Sequence, residues 1–156
     1  MSRPSDFSYN DAVKYMQAAL AEARLAADAL EVPVGAAIVS GDGRILAKGR
    51  NDTVSTGHIH GHAEINAINR LIAENGRVPE GASLFVTLRP CTMCMGAIIS
   101  SGIRRIYYAA GRDPSAGDYF PLTLLPVGTE AFGGILEDEA RELRENFFRE
   151  LRTPET

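Results

Sequence analysis

Residues 83–94 read Ser83-Leu84-Phe85-Val86-Thr87-Leu88-Arg89-Pro90-Cys91-Thr92-Met93-Cys94. Ser83 to Thr87 is an apolar run short enough for a buried strand. Pro90 suits the entry to a helix, where a missing N–H costs little. Cys91 and Cys94 lie three apart, so on a first helical turn both sulfurs point the same way. Ala97, Ile98 and Ile99 continue that helix towards Gly102, and Arg105 to Ala109 is a further strand carrying Ile106, Tyr107 and Tyr108. A strand–helix–strand unit implies a parallel crossover with the helix packed on the sheet.

Upstream, His62 opens a second helix reaching about Asn75, with Ile65, Ile68, Leu71 and Ile72 at core spacing and Gly76 as its C-terminal cap. Before it, Val32 to Val39 and Arg44 to Arg50 read as a hairpin across Gly41-Asp42-Gly43. A polar loop runs from Asn51 through Gly61, and its His58 and His60 read as solvated. Ser8 to about Leu30 forms a helix with Val13, Met16 and Leu20 on its apolar stripe and Ser8 with Asp11 at its cap. Downstream, Gly111 to Pro121 is a loop, and Leu122 to Val127 reads as a last or edge strand weakened by its prolines. Leu136 to Leu151 closes the chain as a helix with Leu143, Phe147, Phe148 and Leu151 on one face. The expectation is a single α/β domain over 1–156, with a mixed five-stranded sheet inside helical layers.

The 156 residues are enough for a real core, and 45% apolar with 23% charged residues is ordinary for a globular chain. No run approaches the length of a membrane span and no secretory leader is visible, so no membrane partner and a cytoplasmic location are expected. Two cysteines spaced C-x-x-C point to metal or redox chemistry, not to a disulfide framework. The net charge of -4 favours a small uncharged substrate over a nucleic acid, since Arg104-Arg105 is the longest basic run considered.

His62, Cys91 and Cys94 form a set that can bind Zn²⁺ and leave a fourth tetrahedral position open. An open zinc activates water near neutral pH, and Glu64, two residues past His62, is the natural proton carrier beside it. A closed structural site would need His58 or His60 as a fourth ligand and would leave Glu64 unexplained.

The order H-x-E then P-C-x-x-C resembles the signature of the cytidine deaminase-like superfamily of zinc deaminases. The likeness runs from about Glu31 to Ile106 and, more weakly, at the C-terminal helix. It implies a three-layer α/β/α fold with one zinc per chain between two helix N-termini, and a homodimer. It also implies that Asn51 contacts the base, that Gly61 and Ala63 bring backbone close to the ring, and that the Cys91 N–H faces the reacting oxygen. The pocket wall would fall among Asp113 to Phe120, with Glu155 or another late acid closing it.

Within the superfamily the residues point several ways. Gly96-Ala97-Ile98-Ile99 and Gly102-Ile103 look like yeast-type cytosine deaminases, and Tyr108-Ala109-Ala110 looks like guanine deaminases. The stretch from Gly133 to Glu139, with Phe147-Phe148-Arg149, looks like bacterial tRNA adenosine deaminases. The acidic balance tips the expectation to hydrolysis of a free aminated base, cytosine-like first and guanine-like next. Deamination of tRNA adenosine at the wobble position is the alternative. An inactive base-binding module is the outside reading, which an intact Glu64 argues against.

Overall fold

The computed structural model describes residues 7–152. Glu155, expected near the pocket, lies outside the described residues. Helix α1 spans Tyr9–Asp28, and the Ser8 side chain caps it by accepting the Asp11 N–H at 3.1 Å. Strands β1 (Gly35–Val39) and β2 (Ile45–Arg50) form the expected antiparallel hairpin. The loop that follows contains a short helix, α2 (Thr53–Thr56), and leads to α3 (Ala63–Asn75). Next come β3 (Ser83–Leu88), α4 (Thr92–Ser101) and β4 (Arg105–Ala110), the expected crossover unit, with β3 and β4 parallel.

The sheet order is β2-β1-β3-β4-β5, antiparallel at the hairpin edge and parallel at the other, so it is a mixed five-stranded sheet. Side chains of β3 alternate across it. Leu84 and Val86 join Ile38, Ile68, Leu71, Met95, Ile98 and Ile106 under α3 and α4. Phe85 faces the other way, into Met16, Leu20, Tyr107 and Ala140 beneath α1 and α5. Burying each such large side chain contributes about 1.5–3 kcal/mol, which is why the central strand is apolar on both faces.

Two expectations change in the C-terminal third. The last strand is not at Leu122 to Val127. Leu122–Leu124 is a 3-10 turn, and the fifth strand is β5, Glu130–Phe132, parallel to β4. Pro121 and Pro126 remove ladder donors, and Gly128 turns the chain at φ 89° before pairing resumes. The closing helix α5 (Glu137–Arg152) forms, but only part of its expected apolar face is covered. Phe147 is buried, whereas Phe148 and Leu151 are exposed. On α3, likewise, Ile68 and Leu71 are buried and Ile72 is exposed.

Two glycines set how closely the helices approach. A Cβ on Gly35 would lie 2.0 Å from the Ala19 carbonyl of α1. A Cβ on Gly49 would lie 2.4 Å from the Ala63 carbonyl and 2.5 Å from the Ala67 nitrogen of α3. The second contact seats the start of α3 against β2, and the start of α3 carries the site.

Candidate active site

His62 and Cys91 occupy equivalent places, each the extended residue just before a helix, at α3 and α4 respectively. Neither side chain caps its own helix. They turn instead towards each other. His62 Nδ1 lies 3.6 Å from Cys91 Sγ and 3.4 Å from Cys94 Sγ. The ring nitrogen that faces both sulfurs is Nδ1. Among the described residues the three form one group of donor atoms within 4.8 Å of one another. His58 and His60 stand outside it, exposed and stacked on each other at 4.9 Å.

These distances test the donor set against zinc. Tetrahedral Zn–N and Zn–S bonds of usual length place N and S about 3.5 Å apart, and both observed separations agree. The electrostatics agree as well. The Cys94 thiol and then His62 hold Cys91 down to about 3, so it is a thiolate. Cys94 is pushed up, first by its hydrogen bond to Cys91 and then by burial. A second thiolate in this place needs a cation, and a divalent metal supplies it. The Cys91 hydrogen bond, against burial, holds the His62 ring above its usual value.

Glu64, in the first turn of α3, is 3% exposed. Burial lifts its carboxyl to about 7; the nearby Cys91 charge adds to this, while its own backbone N–H and Cys94 oppose it. A carboxyl poised there can both take and return a proton at neutral pH.

The other expected contacts are distributed around this centre. Asn51 Oδ1 accepts the Ala63 N–H at 2.9 Å, satisfying an orphan donor of α3 and leaving the amide nitrogen as a donor. Gly61 is buried, and a Cβ there would lie 2.3 Å from Asp52 Oδ1. Ala63 is fully buried. Asp113 is exposed, and its carboxylate accepts from the Ser115 N–H at 2.9 Å and hydroxyl at 2.8 Å within its own turn. Phe120 packs against the α3–α4 side of the core.

Four supporting residues were not singled out from the sequence. Glu31, 2% exposed, accepts the Val54 and Ser55 N–H groups at 3.0 and 2.6 Å and so fixes α2. Asn66 donates to Arg50 O at 2.8 Å and to Asp52 Oδ1 at 3.0 Å, tying α3 to the end of β2. Arg89 reaches the 111–121 loop, and Arg112 within that loop bonds Asp118 and the Arg89 carbonyl. Arg89 left one sequence signal, a charge set between an apolar strand and Pro90.

The family model of the cytidine and deoxycytidylate deaminase zinc-binding region matches residues 9–110. The chain belongs to the cytidine and deoxycytidylate deaminase family. It is a zinc-dependent hydrolase of C–N bonds, with His62, Cys91 and Cys94 as the residues that can hold the metal. A tRNA-specific adenosine deaminase of Agrobacterium fabrum is 40% identical over 88% of this chain and 94% of its own. A solved structure from work on A-to-I editing by tRNA:A34 deaminases is 39% identical, with a TM-score of 0.74 over 83% of this chain and 98% of that one. A guanine deaminase structure from Nitrosomonas europaea is 26% identical, with a TM-score of 0.72 over 86% and 83%.

These likenesses overturn one expectation. A free aminated base, cytosine-like or guanine-like, was expected as substrate and main partner. The relatives that match this deaminase at 39–40% identity over nearly their whole length are tRNA adenosine deaminases instead. The error came from net charge. A total of -4 is an average, and it does not forbid a local basic face. Arg144, Arg149 and Arg152 of α5 line one surface cavity with Glu145 and Phe148.

Proposed function

We propose that this deaminase converts adenosine to inosine at the wobble position of a tRNA anticodon, in the cytoplasm and as a homodimer. The observation that carries this reading is the 40% identity to a tRNA-specific adenosine deaminase across 94% of that protein. Three arginines of α5, Arg144, Arg149 and Arg152, share a surface with Glu145 and offer contacts for phosphates. No described helix is long and apolar enough to cross a membrane.

The reaction exchanges the 6-amino group of adenine for oxygen, consuming water and releasing ammonia. His62, Cys91 and Cys94 would hold zinc, which supplies Lewis-acid activation of water at neutral pH. Glu64 takes one proton of the attacking water and passes it to the ring nitrogen N1, then carries the proton of the added hydroxyl to the departing amine as the C–N bond breaks and the carbonyl forms. One carboxyl serves both relays because its burial balances its two protonation states near pH 7. The Asn51 amide nitrogen donates to the base edge, and the tight backbone at Gly61 and Ala63 borders the ring. The Cys91 N–H faces the developing oxygen at the start of α4, where the helix dipole favours negative charge.

The test is inosine formation in an anticodon stem-loop carrying adenosine at the wobble position, beside ammonia release from free cytosine, guanine, adenine and their nucleosides. Conversion of the stem-loop with negligible turnover of the free bases is expected. Efficient deamination of a free base with no conversion of the RNA would overturn the reading.

A further inference from the structure

Arg89 is a buried cation with no anion paired to it among the described residues. It is 8% exposed, and its Nε has no hydrogen-bond partner. Burying a charge in this way is costly unless other groups stabilise it. Here the stabilising groups come chiefly from one segment. The guanidinium donates to Phe120 O at 2.7 Å, and its centre lies 4.2 Å from the Tyr119 ring centroid and 5.9 Å from that of Tyr108. Two of these three partners, Tyr119 and Phe120, belong to the loop that follows β4.

The backbone of Arg89 holds the other end of that loop. Its N–H donates to Ala110 O at 2.8 Å, and its carbonyl accepts from Arg112 Nε at 3.1 Å. Arg112 then pairs with Asp118 at 2.9 Å. The Asp118 carbonyl accepts both the Thr92 N–H at 2.9 Å and the Thr92 hydroxyl at 3.0 Å. Thr92 lies between the two cysteines, so the loop is seated against the first turn of α4.

We propose that Arg89 is a positioning residue that fastens the 111–120 loop across the start of α4 and so sets affinity for the RNA without driving the chemical step. The affinity half rests on the tRNA reading above. The fastening itself does not, because it is a property of the free enzyme. Among the described residues no hydrogen bond or ion pair joins the guanidinium to the metal donors or Glu64; its effect passes through Tyr119 and Phe120. Lysine could keep the charge but not the planar stack with its simultaneous carbonyl bond.

The experiment compares zinc-loaded wild type with Arg89→Ala, Arg89→Lys, Tyr119→Leu and the Arg89→Ala/Tyr119→Leu pair. It reads amide hydrogen exchange without RNA, zinc content, and steady-state kinetics on the anticodon stem-loop. Arg89→Ala should speed exchange at the Thr92 and Tyr119 amides and raise KM about tenfold, with kcat within about threefold of wild type and zinc retained. Arg89→Lys should fall between. Tyr119→Leu should loosen the same amides from the loop side, and the pair should exceed either single change by little.

Unchanged exchange in Arg89→Ala, or a fall in kcat at constant KM, would overturn the proposal. Should Arg89→Ala lose zinc or fail to fold, Tyr119→Leu decides: normal loop exchange there overturns it equally. If wild type proves inactive on the RNA, the tRNA reading fails on that measurement, while the exchange data still decide whether Arg89 fastens the loop.

Discussion

The two sides of the site are built differently. On the metal side, His62 and Cys91 each end an extended segment and begin a helix, so the donors are aimed by backbone geometry close to them in sequence. On the loop side, the fasteners reach across the chain: Thr92 to Asp118 spans 26 residues, and Arg89 to Phe120 spans 31. Cys91, Cys94 and Glu64 are buried and His62 is half-buried, whereas Asp113 and Asp118 of the loop are exposed. On the function proposed above, chemistry is held by element ends and recognition by a tethered segment. Changes on the first side should remove metal or kcat, and changes on the second should move KM.

The largest expected effect breaks the metal side outright. Cys91→Ala leaves two donors where an open zinc site needs three. Elemental analysis should fall from one zinc per chain to near zero, with turnover lost alongside it. A variant that kept full zinc occupancy would show that the donors are assigned wrongly.

Glu64→Gln comes next and sharpens the comparison, because it should spare the metal. The amide cannot shuttle a proton, so kcat should fall by about 10²–10⁴ while zinc content stays at wild-type level. Retained inosine formation would remove Glu64 from its role. The two substitutions separate holding the metal from moving the proton, although His62 and Glu64 share one helix turn.

What could be read from the sequence follows the same division. His62, Glu64, Cys91 and Cys94 were legible because each stands beside a local signal: a strand end, a proline or a helical period. The positions of the first four strands along the chain were legible for the same reason. The fifth strand was not, because Glu130–Phe132 is only three residues long and is stabilised by pairing with β4 rather than by its own pattern. Arg89 was passed over because the meaning of a buried charge depends on rings about 20 and 30 residues away. The substrate was misjudged because total charge carries no position. Glu31 shows the same limit: its carboxylate serves backbone amides 23 and 24 residues on.

A third change tests how the metal side is seated on the sheet. Gly49→Ala places a methyl against backbone atoms of α3 that cannot swing aside. Forced overpacking of this kind costs about 1–3 kcal/mol, measurable as a lower midpoint in denaturant unfolding of the zinc-loaded protein. Since α3 begins at the site, kcat should drop with stability. Unchanged stability would mean that β2 and α3 separate without penalty, and that close approach is not what seats the helix.

The smallest expected effect falls on Asn51, which holds the start of α3 on the metal side. Its Oδ1 accepts the first N–H of α3, and its amide nitrogen is the donor proposed to meet the base. Asn51→Ala removes both functions; loss of the helix contact should cost about 1 kcal/mol. Asn51→Asp keeps the acceptor and removes the donor. Stability should therefore recover in Asp but not in Ala, while KM for the stem-loop rises in both. If stability and KM moved together across the two variants, Asn51 would be acting only through the helix start. If Asp restored stability and left KM high, one side chain would serve both the helix start and the base, through opposite ends of its amide.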